Sequence, residues 1–491
     1  MKKYFPFLIV TAISCSAYSG AKSTIVVGSK TFTESYILAE ILAKTIEDAG
    51  ELNVQRKMGL GATGIIYESL KTGQIDIYPE YTGTIAEAIL KDASLKSVSQ
   101  INESLVKDHL IITDSLGFND NYGLAVEQEY AKTKSISIIS DLKKDSNIRA
   151  GFTHEFLKRQ DGYDALMKHY GLKLANVKGM EHSLAYQSIA EKKLDLIEVY
   201  TTDAKIKKYD LRVLEDDKKF FPKYLAVFIL RDELVSQYPK TFKAIKNLEN
   251  KINEAKMIEL NAKVELEGWS FEKVANSFLN KSESQTNEAF QNLLKRTKEH
   301  LSLVFISLLL ALIVGLPLGI IAAKYRAFAQ SVILLSGLLQ TVPSLALLCF
   351  LIPVFGIGYL PAVVALFLYA LLPIVRNTYL GLASIDSGLI ESAKTLGLSS
   401  FQRLRLIELP LASPTILAGV KLSAVINVGT ATLAAFIGGG GYGAIIVTGL
   451  ALNNNKIILQ GAIPSAVLAI LVHILFEYLD RIIVPKGIRL K

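Results

Sequence analysis

The stretch LSLVFISLLLALIVGLPLGIIAA, residues 301–323, carries no charged side chain and is long enough to cross the hydrocarbon core of a bilayer. Four more apolar runs of similar length follow, at about 329–352, 360–380, 415–437 and 458–479. Only 17 of the 100 Asp, Glu, Lys and Arg residues lie in 301–491. The sequence therefore predicts an all-α membrane domain of five helices over 301–491, preceded by a region suited to water.

Basic residues beside these runs predict how the chain threads the bilayer. Lys324 and Arg326 follow the first run, three basic residues lie in the loop after the third, and four follow the fifth, whereas the other two loops hold only Lys456. By the positive-inside rule, we expect a multi-pass membrane protein with residues before 301 outside and the carboxyl terminus inside. The net charge of +8 comes mostly from this region, so nucleic acid is not an expected partner.

The amino terminus has the features of an export signal. Lys2 and Lys3 precede an apolar stretch from about Phe5 to Ala17, and small residues follow. We expect residues 1–21 to be a signal peptide, with retention as an anchor and lipidation at Cys15 as alternatives. Cys349 is the other cysteine, and the two do not form a disulfide framework.

Residues 22–282 alternate short apolar runs with amphipathic helical stretches. Residues 23–28 read as a strand that enters a turn, and 35–49 as a helix with one apolar face. This alternation predicts an α/β domain with mostly parallel sheets, whose ligand binds at the carboxyl ends of the strands. The glycine motif at 59–64 is expected to be a tight turn and not a dinucleotide site. We expect residues 283–300 to link this domain to the membrane.

One loop on the predicted cytoplasmic side has a distinctive spacing. It reads ESAKTLG at residues 391–397, then nine residues, then IELP at 407–410. This resembles the EAA loop of ATP-binding-cassette (ABC) importer permeases, with Ser392 where alanine is usual. An ordinary polar loop is the alternative. The resemblance implies docking on a separate ATPase chain, since no phosphate-loop motif occurs here, through the coupling residues Glu391, Ala393, Gly397, Ile407 and Pro410.

Four further segments, 28–34, 76–84, 156–162 and 200–203, resemble the quaternary-ammonium branch of periplasmic substrate-binding proteins. That family serves osmoprotectant importers for glycine betaine, carnitine and choline, and ergothioneine importers belong to the same branch. The resemblance implies a bilobed periplasmic-binding-protein fold of type II. It also implies that the chain is a fused binding protein and permease of the bacterial inner (cytoplasmic) membrane that imports a quaternary ammonium solute, with ergothioneine as the alternative cargo.

The ligand chemistry explains which residue types are needed. A quaternary ammonium has no N–H to donate, so aromatic ring faces must hold it. By resemblance, the expected cage is Tyr81, Tyr122, Tyr200 and Tyr224. Asp120 is the expected counter-charge, and a carboxylate tail is expected to bind Lys30, Arg159 and Thr84. The alternative for any single tyrosine is ordinary packing, because tyrosines are often half-buried.

The resemblance also predicts hinged lobes of 24–125 plus about 228–280 and of 130–223, with crossings near Ala125–Gln128 and Tyr224–Phe228. We expect no cofactor, metal site or enzyme activity, because the six histidines lack ligand spacing and no nucleophile–base pair stands out. Two copies of the chain are expected to form the pore. A ligand-gated channel, a membrane-anchored enzyme and a sensor without transport are the rival functions.

Overall fold

A computed structural model of the chain describes residues 23–145, 147–281 and 288–488. The predicted signal peptide, with Cys15, lies outside the described residues, as does the first part of the predicted linker. The described strands are β1 to β10: Thr24–Gly28, Asn53–Lys57, Ile77–Tyr81, Leu110–Ile112, Tyr122–Glu127, Arg149–Thr153, Asn176–Met180, Leu196–Tyr200, Leu211–Val213 and Ala226–Arg231.

The helices of the binding domain are α1 to α12. In chain order they are Thr33–Ala49, Thr63–Lys71, the single turn Thr82–Thr84, Val98–Leu105, Gln128–Lys134, Tyr163–Tyr170, His182–Ala190, Lys205–Lys208, Glu233–Gln237, Pro239–Lys246, Glu254–Glu265 and Phe271–Phe278. The remaining helices are α13 to α21: Glu288–Lys324, Arg326–Thr341, Ser344–Phe355, Tyr359–Ala383, Ser387–Thr395, Ser400–Arg403, Leu409–Thr430, Tyr442–Ala451 and Asn455–Ile483.

The strands form two five-stranded sheets with equivalent orders, β2-β1-β3-β10-β4 and β7-β6-β8-β5-β9. In each sheet the first three strands are parallel, and the strand that follows them is antiparallel to both of its neighbours. The expectation of mostly parallel sheets was therefore wrong for half of the strand pairs. The antiparallel strands β5 and β10 are those that the chain forms just after crossing between lobes, so they enter from the opposite direction.

The first crossing lies earlier than expected. All of β5 from Tyr122 onward belongs to the second sheet, so the chain crosses before residue 122 and not at Ala125–Gln128. It returns before β10 begins at Ala226, and the two crossings meet at the bridge between Asn119 and Leu225. We refer to the lobes that contain β1 and β6 as lobe 1 and lobe 2.

Within the described part of the chain, four helical segments are long and apolar enough to span a membrane: Phe290–Lys324, Tyr359–Ala383, Ser400–Ile437 and Asn455–Ile483. The second predicted run is not one helix, because α14 and α15 meet at an angle of 98° beside Pro343. Proline restricts the residue before it and removes an amide donor, which accounts for the break. The count of five spans holds when this bent pair is counted as one.

The path of the helices supports that count. Gly315 lies against Ile374 and Gly319 against Thr378, so α13 and α16 run side by side in the same direction. Lys324 is therefore at the end of the bundle away from the binding domain. Ile357, after the bent pair, packs in a core cluster with Leu60 of lobe 1. The bent pair thus leads from the far end of the bundle to the end that contacts the binding domain.

Candidate functional site

Three of the four predicted cage tyrosines lie together between the lobes. The ring centroid of Tyr122 is 5.4 Å from that of Tyr200 and 5.4 Å from that of Tyr224, both in edge-to-face geometry. Tyr122 and Tyr200 are paired residues on the neighbouring strands β5 and β8. Tyr224 belongs to the returning crossing. The cluster therefore depends on antiparallel pairing in lobe 2 and on the position of the second crossing.

Tyr81 joins this group through Phe32, a residue that the sequence did not single out. The Phe32 ring lies 6.3 Å from Tyr81 and 5.5 Å from Tyr200. The ammonium group of Lys30 is 5.3 Å from the Tyr81 ring centroid and forms a 2.5 Å ion pair with buried Glu80. Lys30 therefore lies beside the aromatic group, as predicted, but with its charge already paired.

Arg159 lies on the opposite side of the same group. Its guanidinium carbon is 5.4 Å from the Tyr122 ring centroid, and two of its nitrogens donate to Asp161 at 2.8 and 2.5 Å. The Tyr224 hydroxyl donates to the same carboxylate at 2.6 Å. Thr84 is buried close by, since its neighbour Gly83 lies against the Tyr224 ring. The structure thus brings Arg159 and Thr84 next to the rings.

A buried acidic network joins the two lobes behind the rings. Glu34 on α1 accepts hydrogen bonds from the hydroxyls of Tyr81, at 2.5 Å, and Thr202, at 2.6 Å. The Thr202 hydroxyl also lies 2.9 Å from Asp120, and Asn261 contacts both Glu34 and the Thr202 carbonyl. Thr202 follows β8 of lobe 2, whereas Glu34 and Asn261 are in lobe 1. These hydrogen bonds therefore hold the lobes closed.

Burial controls the protonation of this network. It raises the pKa of Glu34 to about 7, although hydrogen bonds from Thr202, Tyr81 and Asn261 oppose the shift. Burial, followed by repulsion from Glu34, also raises the pKa of Asp120 well above its usual value. Two carboxylates that share one hydroxyl repel each other when both are ionised. The closed cleft therefore favours a protonated state of this pair.

A second polar group lies beside Tyr200. His182 stacks on the Tyr200 ring at 4.2 Å, and its Nε2 is 2.8 Å from Asp203. Burial disfavours the charged imidazole, but Asp203 outweighs burial and raises the pKa of His182. These side chains and Ala451 of the membrane domain line a cavity of about 30 Å³ between the lobes, which has room for little more than a water molecule or two.

The predicted coupling loop lies at the end of the bundle away from the binding domain. Helix α17 ends at Thr395, and Gly397 adopts a φ of +77°, which favours glycine. Ala393 is buried, whereas Glu391 is exposed. Proline usually interrupts a helix, but Pro410 does not end this helical segment: a π-helical turn at Leu404–Glu408 precedes it, and the helix continues to residue 437. Such a turn accommodates the missing proline amide. Ile407 is half-buried within that turn.

This loop also exposes apolar side chains that the motif comparison did not identify. Leu396, Phe401 and Leu406 have exposed fractions of 79%, 68% and 61%. Residues of this kind, gathered at one end of a protein, mark a surface for another protein. In the sequence, Leu406 follows an alternation of arginine and leucine that begins at Arg403, whereas Leu396 and Phe401 belong to no such pattern.

Two of the missed cleft residues also had detectable signals. Glu34 and Thr202 lie inside the segments 28–34 and 200–203 that carried the family resemblance. Their contact with each other depends on how the lobes close, which the local pattern does not contain. Among the described residues, no group of three or more His, Cys, Asp or Glu side chains is placed to hold a metal ion.

Comparison with known proteins decides the family. Residues 23–281 match the family described as the substrate-binding domain of ABC-type glycine betaine transport systems. The chain belongs to this family. Residues 315–485 match a second family, the inner-membrane component of binding-protein-dependent transport systems. The chain is thus a fused substrate-binding and permease protein of an ABC transport system, multi-pass in the inner membrane, and its families are those of transporters and not of enzymes.

Two individual relatives and one solved structure are similar to parts of this chain. The glycine betaine/carnitine/choline transport system permease of Bacillus subtilis is 43% identical over 205 residues, 42% of this chain and 94% of that protein. The ergothioneine transport permease/ergothioneine binding protein of Helicobacter pylori is 37% identical over 260 residues, 52% of this chain and 47% of that protein. A crystal structure of a glycine betaine/carnitine/choline ABC transporter aligns with a TM-score of 0.45 and 31% identity, covering 52% of this chain and 97% of that one.

Proposed function

We propose that this chain is the binding and permease subunit of an ATP-driven importer that captures a quaternary ammonium solute between its lobes. The observation that carries the proposal is the cluster of Tyr122, Tyr200 and Tyr224 rings, with Tyr122 5.4 Å from each of the other two. A cation on an aromatic face gains roughly 0.5–2 kcal/mol, so several rings together supply strong selection for a cation without N–H groups.

The protein's own cations support this role for the rings. Lys30 is positioned over Tyr81 and Arg159 over Tyr122, each between 5 and 6 Å from a ring centroid. These rings therefore present their faces to positive charge inside the cleft. A carboxylate tail would have to share Lys30 and Arg159 with their buried partners Glu80 and Asp161. Solutes without that tail do not meet this competition.

Replacing Tyr200 tests the proposal directly. In the purified full chain, we expect Tyr200→Ala to weaken solute binding at least tenfold, roughly 1.4 kcal/mol, in calorimetry with glycine betaine, carnitine, choline and ergothioneine. Tyr130→Ala is the matched control, because Tyr130 is also in lobe 2 but bonds to Asp145 away from the rings. Equal affinity in both variants would remove the cage from the proposal.

The transport half of the proposal rests on the opposite end of the molecule. We propose that a separate ATPase binds the loop that contains Glu391, Gly397 and Pro410, using the exposed apolar side chains described above. The basic residues near that end support a cytoplasmic position for the loop and an outside position for the binding domain. Two chains would form the pore, because ABC ATPases act as pairs.

Ergothioneine is the second candidate cargo. It carries the trimethylammonium group that the ring cluster would hold, and the Helicobacter pylori relative is named for it. Ergothioneine differs from the other candidate solutes only in the part of the molecule beyond the cation. Competition of unlabelled ergothioneine against labelled choline or glycine betaine on the same purified chain separates the two candidates.

A further inference from the structure

The two lobes meet the membrane domain through different kinds of contact. Lobe 1 does so through an apolar core: Ile357, which is only 5% exposed, belongs to the same buried cluster as Leu60 and Ile66. Close contacts of Gly356 with Gln74 and of Gly438 with Leu60 border this contact. We call it the lobe 1 seat. Burial of apolar surface on both sides makes the seat costly to separate in water.

Among the described residues, lobe 2 meets the membrane domain at the end of α20 and in the turn that joins α20 to α21. We call residues 448–454 the bridging segment. The Ser183 hydroxyl donates to the Leu450 carbonyl at 3.2 Å, and the Asn453 amide donates to the Gln187 side chain at 3.3 Å. Gln187 is exposed, so water can replace its hydrogen bond with Asn453, whereas Ser183 is buried. The contact as a whole is therefore easier to break than the apolar seat of lobe 1.

The bridging segment is also held on lobe 1. Leu452 packs against the core cluster that surrounds α1, and the Thr448 side chain lies near the Tyr36 hydroxyl of α1. The segment therefore keeps one position relative to lobe 1 and the membrane helices. Contact with lobe 2 then depends on where lobe 2 stands relative to lobe 1.

The bridging segment also reaches the ligand cleft. Ala451 lines the small interlobe cavity together with Tyr200, His182 and Asp203. Tyr200 is one of the proposed cage residues, and His182 is stacked on it. A side chain of the permease thus forms part of the wall beside the proposed cage, at the edge where the lobes separate on opening.

From these contacts we infer that lobe 1 stays seated on the permease while lobe 2 docks on the bridging segment only when the cleft is closed. The bridging segment then has two effects. It closes the side of the cleft, and it transmits the closure of the cleft to α20 and α21. This inference rests on the proposed function, because it assumes that a solute closes the cleft.

Cross-linking of the full chain tests the inference. In a Cys349→Ser background, Gln187→Cys with Asn453→Cys reports the lobe 2 contact, and Gln74→Cys with Gly356→Cys reports the lobe 1 seat. The pairs are matched, since Asn453 and Gly356 both have positive φ, 51° and 71°. With a short bismaleimide, we expect choline, glycine betaine or ergothioneine to raise the yield of the first pair several-fold and leave the second unchanged.

A second arm needs no solute. Thr202→Ala removes hydrogen bonds that tie lobe 2 to Glu34 and Asp120, so it should lower the yield of the first pair and not of the second. The inference is overturned if both pairs respond equally, or if neither responds to Thr202→Ala. A separate thermal-shift measurement shows whether a solute binds. Failure of all the solutes to bind would count against the proposed function, while the Thr202→Ala arm would still decide the inference.

Discussion

Lobe 1 and lobe 2 have equivalent strand orders, but they differ in what surrounds them. Lobe 1 holds α1, in which 13 of 17 residues are buried, and rests on the membrane domain through an apolar cluster. Lobe 2 supplies Tyr122, Tyr200 and Arg159 to the cleft and meets the membrane domain through hydrogen bonds. Two lobes with equivalent strand orders therefore have different roles: lobe 1 is fixed on the membrane domain, and lobe 2 is able to move.

This difference indicates how a tethered binding protein can work. If both lobes had apolar seats, separating them would expose apolar surface at every opening, and the cleft would stay closed. If neither lobe had an apolar seat, the binding domain would move freely on its linker whenever no solute is bound. One apolar seat and one polar contact allow the cleft to open while the domain remains over the permease.

The largest effect that we expect comes from the lobe 1 seat. Ile357→Asp places a carboxylate in a buried apolar cluster, which costs roughly 3 kcal/mol or more unless the contact opens to water. We therefore expect lobe 1 to leave the permease. Hydrogen exchange of Leu60–Ile66 in the full chain should rise, whereas Gln187→Ala, at the lobe 2 contact, should leave it unchanged. Unaltered exchange in Ile357→Asp would show that lobe 1 has no such seat.

A second prediction tests whether the coupling loop, at the far end of the bundle, acts independently of solute binding by the two lobes. Gly397→Val puts a β-branched residue at a φ of +77°, which costs on the order of 1–3 kcal/mol of backbone strain. Open space surrounds Gly397, so the binding domain should be unaffected. We expect normal solute affinity with loss of solute-stimulated ATP hydrolysis in reconstituted vesicles. Gly337→Val, at a position with equal space and ordinary φ, is the control, and stimulated hydrolysis in Gly397→Val would contradict the coupling role.

These comparisons show which features the sequence could predict. The apolar face of α1 and the strands β1, β2, β6 and β8 follow from local periodicity. The break at Pro343 and the direction of β5 do not, because an apolar run indicates burial but neither the sheet that it joins nor its orientation. The roles of Glu34 and Thr202 also lay beyond local pattern, since each finds its partner on the other lobe.

The smallest effect that we expect is a pH dependence of solute affinity. It distinguishes a buried carboxyl that bonds across the cleft from one that bonds within a single lobe. Burial raises the pKa of both Glu34 and Glu198 to about 7. Thr202, the partner of Glu34, lies on the other lobe, whereas Glu198 accepts hydrogen bonds from Thr153 of its own lobe. Only Glu34 should therefore change its burial when the cleft closes.

The sign of the effect follows from linkage. A carboxyl with a normal pKa of 4.5 in the open cleft and about 7 in the closed one takes up a proton on closure. Its contribution to closure is present below about pH 4.5 and is lost as the pH rises toward 7. The raised pKa of the neighbouring Asp120 makes closure depend on pH in the same direction, and the raised pKa of His182 does so over a higher pH range. The lowered pKa of Asp203 has the opposite effect.

We therefore expect solute affinity to weaken several-fold between pH 5 and 7 in the native chain. Glu34→Gln should flatten this dependence, because a neutral amide can keep the contact with Thr202 without a proton change. Glu198→Gln should leave the affinity profile unchanged and alter only the pH dependence of thermal stability. If the two variants gave the same affinity profile, closure of the cleft would not change the burial of Glu34. The lobes would then differ only in their contacts with the permease.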